Sequence, residues 1–254
     1  MDFKKLKENL KWLDPFTYVD LYVMPKLNPQ KSEVISTIVY LVFAFVFAFV
    51  LYNFFGFVLG TQAPLVIVVS GSMEPVMYRG DIVVISGAKL EELNVPQVEL
   101  NNFDLDQTPL ANYAMPVCVE KDSGRQESCE NLLQQGTGPF ETTAVKFSET
   151  QTVNIHKDGE ILVYNSSLGQ PVIHRSVVKI KGLDKTYVLT KGDSVFNPLI
   201  DQQAGITSGA LTQDQIVGKA IFRVPLLGYI KLLLFDDLPA LIFGCKNPQG
   251  CPFP

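Results

Sequence analysis

The chain has 254 residues, of which 47% are hydrophobic, and a formal net charge of −5 at pH 7. This length accommodates one domain of moderate size together with a membrane-spanning segment. The negative charge and the lack of a dense basic cluster argue against a nucleic acid partner, because binding to a phosphate backbone depends on grouped lysine and arginine side chains.

The first predicted element is a membrane-spanning helix. Residues 35–59 contain no charged side chain, and about 20 apolar residues are enough to cross a bilayer as a helix. A cleavable signal peptide has a shorter apolar region, of about 7–15 residues, closer to the N-terminus. We therefore predict a leader over residues 1–33 and an uncleaved anchor over residues 34–60. The aromatic and lysine residues of the leader fit either an amphipathic helix on the cytoplasmic membrane surface or a solvated tail.

The charges on either side of the anchor predict its orientation. Six lysines precede it, and the first basic residue that follows it is Arg79. Basic residues are enriched on the cytoplasmic side of membrane proteins. We therefore expect the N-terminus in the cytoplasm and all residues after 60 on the outer side of the membrane.

The sequence after the anchor predicts an all-β domain over residues 61–225. Short runs rich in β-branched residues alternate with Gly, Asn, Asp and Pro, which is typical of strands separated by turns. Residues 86–150 are polar and weakly periodic, so we expect an insertion on the β core there, mobile in part. The predicted strands cover residues 65–69, 81–85, 151–155, 161–164, 172–173, 177–180, 186–189 and 216–224.

The C-terminal segment, residues 226–254, is predicted to lie close to the membrane. The apolar stretch 224–244 is interrupted by Lys231, Asp236 and Asp237, and each central acid makes insertion less favourable by about 2.5–3.5 kcal/mol. A second span is therefore not expected. The segment should lie at the membrane surface or pack on the β core.

Four cysteines follow the anchor, on the side of the membrane where disulfides persist. Their spacing suggests the local pairs Cys118–Cys129 and Cys245–Cys251, although four cysteines permit three pairings. A zinc site is not expected, because the chain has no CxxC motif and only two histidines. Asn165 begins a glycosylation sequon, a triplet that also occurs often by chance.

Ser72 is the candidate nucleophile. It lies within residues 69–75, Val-Ser-Gly-Ser-Met-Glu-Pro, directly after a predicted strand. A tight turn at this place can present a hydroxyl and neighbouring backbone N–H groups to a substrate carbonyl. Serine is a poor nucleophile without a base, and the histidines available are His156 and His174. On its own, Ser-Gly-Ser is equally typical of an ordinary turn.

Four segments in order resemble the conserved boxes of type I signal peptidases. Residues 70–75 with 79–81 resemble the nucleophile box, and residues 159–164 resemble the strand before the base. Residues 171–175 resemble the base box, and residues 189–194 with Asp201 resemble the acid box. In addition, residues 224–228 match the end of the family's β core. The base box carries His174 where bacterial enzymes carry lysine, which is similar to the archaeal and endoplasmic-reticulum branch of the family.

The resemblance implies a role for each site residue. Ser72 attacks, His174 is the general base, and Ser70 contributes to the oxyanion hole together with the backbone N–H of Ser72. A third group should orient the histidine. The resemblance favours Asp201 as this acid, with Asp193 as the alternative.

The assignment of the acid depends on one departure from the family pattern. Residues 196–198, Phe-Asn-Pro, delay Asp201 relative to that pattern. Asp193 could instead hold Lys191 or the turn. We expect His156 to be an exposed or packing residue.

The fold implied by the resemblance is mainly β, with a catalytic domain of the signal-peptidase type preceded by one transmembrane helix. The implied activity is that of a serine endopeptidase that removes signal peptides from secreted and membrane preproteins at the outer surface of the cell membrane or the endoplasmic-reticulum membrane. Membrane lipid, accessory subunits and the translocation machinery are the further partners implied, and no metal or organic cofactor is. The alternative is a catalytically inactive, membrane-anchored interaction protein on the same fold.

Overall fold

The computed structural model describes residues 11–100, 105, 108–135, 139–148 and 151–238. The contacts divide the chain after Val58 into two compact units.

The first unit consists of short helical turns followed by one long helix. The turns are a 3-10 turn at Lys11–Leu13, α1 (Pro15–Tyr18), a π-helical turn at Val19–Val23 and α2 (Met24–Leu27). Helix α3 (Glu33–Leu59) has 27 residues, and its side chains are not buried within the described structure. At 1.5 Å per residue it is long and apolar enough to cross a membrane. The first ten residues of the leader lie outside the described residues.

The second unit is built on a seven-stranded sheet in the order β1-β2-β11-β8-β9-β10, with β3 paired in parallel to β9 and all other neighbours antiparallel. Its strands are β1 (Leu65–Ile67), β2 (Ile82–Ser86), β3 (Gln97–Glu99), β8 (Ile161–Asn165), β9 (Pro171–Lys181), β10 (Thr186–Lys191) and β11 (Ile216–Val224). The mainly β prediction is therefore confirmed, together with the preceding apolar helix.

The two runs predicted at 172–173 and 177–180 form the single strand β9. The polar residues between them are buried inside the sheet with hydrogen-bond partners. Arg175 pairs with Asp193, and the Ser176 hydroxyl donates to the carbonyl of Glu160 over 2.7 Å. A buried strand tolerates polar side chains when such partners are present, so the interruption of the apolar pattern does not interrupt the strand.

The insertion predicted at residues 86–150 contributes three of the four strands of a second sheet. Its strands follow the order β5-β4-β6-β7 and are β4 (Met115–Glu120), β5 (Gln126–Ser128), β6 (Phe140–Lys146) and β7 (Thr152–Asn154), with helix α4 at Cys129–Gln135. Further 3-10 turns lie at Leu90–Glu92, Leu110–Asn112 and Gln213–Gln215. The predicted disulfide Cys118–Cys129 is confirmed and joins β4 to α4. Cys245 and Cys251 lie outside the described residues.

The described part of the C-terminal segment, residues 226–238, contains helix α5 (Tyr229–Leu232) and a π-helical turn at Leu233–Asp237. Leu232 is buried, whereas most of its apolar neighbours are exposed. Among the exposed side chains are Leu226, Leu227, Ile230, Leu233, Leu234 and Phe235. In the described part of the segment, Leu232 is therefore the buried apolar side chain, and most of the other apolar side chains lie on the surface.

Candidate active site

The turn that carries Ser72 connects β1 to β2 and is anchored in the core by two methionines. Met73 and Met77 are buried in a cluster with β2, β8 and β9. The backbone closes on itself, because the N–H of Glu74 donates to the carbonyl of Gly71 and the N–H of Met77 donates to that of Met73. The turn is thus fixed by packing and by its own hydrogen bonds. Ser72, within this turn, is half-buried.

Asp81 fixes the far end of the same turn. Its buried carboxylate accepts hydrogen bonds from the backbone N–H groups of Tyr78 at 2.9 Å and Leu226 at 3.2 Å, and from the guanidinium of Arg223 at 3.2 Å. These contacts join the turn to the end of β11. The acidic residue of the Arg-Gly-Asp sequence therefore has a structural role that its sequence position alone did not reveal.

Gly80 is required by the close approach of α5. Its φ angle is +89°, and a Cβ atom there would lie 2.2 Å from the ring of Tyr229. Both the positive φ and the contact exclude a larger residue.

The hydroxyls of Ser70 and Ser72 are neighbours. Their Oγ atoms are 3.3 Å apart, and Ser70 is exposed. Among the described residues, Ser70 is the hydrogen-bond partner of the Ser72 hydroxyl. A hydroxyl at this distance can donate to an oxygen that develops negative charge next to Ser72.

His174 and Asp201 form a buried pair. The Nδ1 atom of His174 is 2.8 Å from Oδ1 of Asp201, and the two residues are 2% and 1% exposed. A backbone hydrogen bond from Asp201 to the carbonyl of Thr190, 2.8 Å long, ties the acid to β10. Because an ionised carboxylate accepts from Nδ1–H, this contact favours the tautomer whose Nε2 is free to accept a proton.

Gly192 lies between the backbone of Ser72 and the ring of His174. A Cβ atom at Gly192 would lie 2.6 Å from the carbonyl oxygen of Ser72 and 3.1 Å from Nε2 of His174. The backbone N–H of Ser194 also donates to the carbonyl of Ser72 over 3.0 Å. Ser72 and His174 line one cleft with a volume of about 490 Å³, whose wall includes Asn197.

Asp193 pairs with Arg175 and not with His174. Nε of Arg175 lies 2.8 Å from its Oδ1, and the terminal Nη2 lies 2.6 Å from its Oδ2, so the pair is bidentate and buried. The remaining Nη1 donates to the carbonyl of Gly159. The structure therefore brings Asp201 to His174 and leaves Asp193 with Arg175. The partner suggested from the sequence, Lys191, instead donates to the carbonyl of Gly192 and approaches Glu141.

Two further sequence predictions concern residues around the cleft. His156 is exposed, as expected, and lines a separate cavity next to Asp193. Asn165, the sequon residue, is exposed at the end of β8. Within the described ranges, no group of His, Cys, Asp and Glu is arranged to hold a metal ion.

Sequence reasoning missed Tyr164 as a site residue. Its hydroxyl donates to Oδ2 of Asp201 over 2.7 Å, and the side chain is fully buried. The available signal was a tyrosine at the end of the apolar run 161–163, because a buried tyrosine hydroxyl usually has a partner. Burial and the charge of Asp201 raise the pKa of Tyr164 well above its usual value.

Comparison with known proteins identifies the family. A signal peptidase complex catalytic subunit of Lachancea thermotolerans is 32% identical over 123 residues, which cover 48% of this chain and 69% of that protein. The corresponding subunit of Fusarium vanettenii is 25% identical over 192 residues, 74% of each chain. An uncharacterized protein of Methanocaldococcus jannaschii is 27% identical over 172 residues, 66% of this chain and 82% of that protein. No family model matches the chain. The chain belongs to the signal peptidase family.

Proposed function

We propose that this protein is a serine-type signal peptidase of the archaeal and endoplasmic-reticulum branch. It removes N-terminal signal peptides from secreted and membrane preproteins at the outer surface of the membrane. The observation that carries the proposal is the buried hydrogen bond between His174 and Asp201 at the cleft that also contains Ser72. The names of the fungal relatives, catalytic subunits of signal peptidase complexes, support the same activity.

The geometry supports a two-step mechanism. Ser72 Oγ attacks the carbonyl carbon of the scissile bond while Nε2 of His174 takes the hydroxyl proton, and Asp201 stabilises the resulting imidazolium. The hydroxyl of Ser70 and the backbone N–H of Ser72 stabilise the oxyanion. Loss of one such donor typically costs about 10²–10³ in rate. His174 then protonates the leaving amine, and a water molecule hydrolyses the acyl-enzyme in the second step.

The choice of histidine as the base is supported by the contacts of the lysines near it in the sequence. Lys179 donates to the backbone carbonyls of Glu91 and Leu93, at 2.9 and 3.0 Å. Lys191 is buried, donates to the carbonyl of Gly192 over 3.0 Å and approaches Glu141. By contrast, Nε2 of His174 and the backbone carbonyl of Ser72 both lie next to Gly192.

Membrane lipid is the second partner that we propose. Both the C-terminal segment and the Ser72 turn expose apolar side chains, among them Val69 and Val76 in the turn. Arg79 links the two parts, because its guanidinium forms a 2.8 Å ion pair with Asp237 and lowers the pKa of that carboxyl. An exposed apolar surface of this kind is typical of a membrane or protein contact. Accessory subunits and the translocation machinery complete the proposed partners.

The proposed location is the cell membrane, or the endoplasmic-reticulum membrane in a eukaryote. Helix α3 crosses it once, the N-terminus is cytoplasmic, and the catalytic domain lies outside. The alternative is an inactive interaction protein on the same fold.

A serine-reactive fluorophosphonate probe tests the proposal. The full-length protein in detergent should be labelled at Ser72 and should cleave a preprotein, whereas Ser72→Ala and His174→Ala should lose cleavage. Ser167→Ala and His156→Ala are matched controls at exposed positions and should retain it. If the native protein is neither labelled nor active on any preprotein, the interaction protein is the better description. Normal cleavage by Ser72→Ala would refute the mechanism.

A further inference from the structure

The carboxylate of Asp201 has a second donor that the proposed triad does not use. The hydroxyl of Tyr164 lies 2.7 Å from Oδ2, while Nδ1 of His174 lies 2.8 Å from Oδ1. Tyr164, Asp201 and His174 are 0%, 1% and 2% exposed. Each carboxylate oxygen therefore has its own buried side-chain donor.

The register of the sheet explains why the tyrosine and the histidine meet the same carboxylate. His174 on β9 is paired with Leu162 on β8, and Tyr164 lies two residues further along β8. Residues two apart on a strand share a face, and paired residues on neighbouring strands share it too. Asp201 reaches this face from the side of β10, to which its backbone N–H is bonded.

A carboxylate in this environment depends on its donors. Burial favours the neutral form of an acid, and hydrogen bonds to the ionised form oppose that effect. An ionised Asp201 is required to keep the proton of His174 on Nδ1 and to stabilise the imidazolium. Because its pKa is raised, the hydroxyl of Tyr164 keeps its proton and remains a donor at the pH at which the enzyme works.

We propose that Tyr164 is a positioning residue that keeps Asp201 ionised and oriented toward His174. The inference rests on the proposed serine peptidase activity. Tyr164 acts through Asp201 and makes no contact with substrate in this scheme. The proton of its hydroxyl stays in place throughout the reaction.

The test is Tyr164→Phe in the full-length protein, which removes the hydroxyl and keeps the ring. We expect kcat to fall about 10–100-fold, the range of one hydrogen bond to a charged group, with KM changed less than about twofold. The acid limb of the kcat/KM profile should move to higher pH. Without the donor, the ionised carboxylate of Asp201 loses one of its two buried hydrogen bonds, and a lower proton concentration is then needed for it to hold His174 as a base.

Tyr113→Phe is the matched control. Tyr113 is also buried, but it belongs to a different core cluster and does not line the cleft. Its removal should leave kcat and the pH profile unchanged. In a double-mutant cycle, Tyr164→Phe should cost little further activity when combined with Asp201→Asn, because both act on one carboxylate.

The outcomes separate the two proposals. An active native enzyme with an unchanged kcat and pH profile in Tyr164→Phe would overturn the positioning role and leave the proposed function intact. A fall in melting temperature with an unchanged profile per folded molecule would assign Tyr164 to packing alone. Absence of both Ser72 labelling and preprotein cleavage in the native protein would refute the activity itself. If Tyr164→Phe does not fold, 3-fluorotyrosine at position 164 supplies a stronger donor and should move the acid limb to lower pH, and no such movement would overturn the inference.

Discussion

Replacement of Asp201 or Asp193 by asparagine should produce two different kinds of loss. At Asp201, asparagine can still accept one hydrogen bond, and its amide can donate to Nδ1 of His174. That arrangement retains packing and most hydrogen bonds, so we expect little change in thermal stability. It places the imidazole proton on Nε2, which then cannot accept the proton of Ser72. For a histidine held in the wrong tautomer, the expected fall in kcat is about 10⁴-fold.

At Asp193, the same substitution removes the charge that balances a buried guanidinium. Arg175 is 8% exposed and makes three hydrogen bonds with this carboxylate. Removal of one partner from a buried ion pair costs about 3–5 kcal/mol. For a domain of this size, that corresponds to a fall in melting temperature of roughly 6–20 °C. Activity per folded molecule should change much less than in Asp201→Asn.

Calorimetry or a thermal-shift assay on both variants, combined with active-site titration by the serine-reactive probe, separates the two effects. Titration gives kcat per folded active site, and the melting temperature gives stability. Equal activity of Asp201→Asn and the native enzyme would transfer the role of the acid to Asp193. A stable Asp193→Asn with a greatly reduced kcat would contradict the structural role of that residue.

Three further predictions follow from the surroundings of the site. The double variant Cys118→Ser, Cys129→Ser, or reduction of the native protein, should lower the melting temperature, since a disulfide that closes a short loop contributes about 2–4 kcal/mol; an unchanged melting temperature would show that packing alone holds the second sheet. Leu233→Ser with Leu234→Ser should weaken liposome binding and slow cleavage of membrane-inserted preprotein while sparing a short soluble peptide, because both side chains are exposed. Leu232→Ser, at the buried position, should instead lower stability and both activities, and equal effects of the two changes would argue against a lipid-binding surface. An N-terminal tag should be protected from protease in sealed cells and a C-terminal tag accessible, and the reverse pattern would contradict the proposed orientation.

The regular elements with a strong local signal could be predicted from sequence. The apolar helix and the strands around 82–86, 161–165, 186–191 and 216–224 have runs of β-branched or apolar residues that need no long-range information. The second sheet could not be predicted in this way. Three of its strands fall within a polar region, and its core cluster includes the half-cystines Cys118 and Cys129, which a periodicity argument does not weigh as buried residues.

The site was predictable to the extent that its residues lie in recognisable boxes. Ser72 and His174 carried such a signal, and the structure places them at one cleft. The partner of Asp193 did not, because its hydrogen bond with Arg175, 18 positions away in the chain, depends on where β9 and the end of β10 lie in the folded sheet. Arg175 shows the limit most clearly. An arginine in an apolar strand usually indicates an exposed position, and here it is buried by pairing with Asp193.

The second sheet holds the chain just before Asp201. Thr142, on β6, donates to the carbonyl of Pro198 twice, through its backbone N–H at 2.8 Å and its hydroxyl at 2.6 Å. Leu199 packs against the cluster that contains the disulfide. Because Pro198 and Leu199 lie three and two positions before Asp201, these contacts restrain the segment whose carboxylate is bonded to His174. A change that loosens the second sheet should therefore act on the His174–Asp201 contact through this segment.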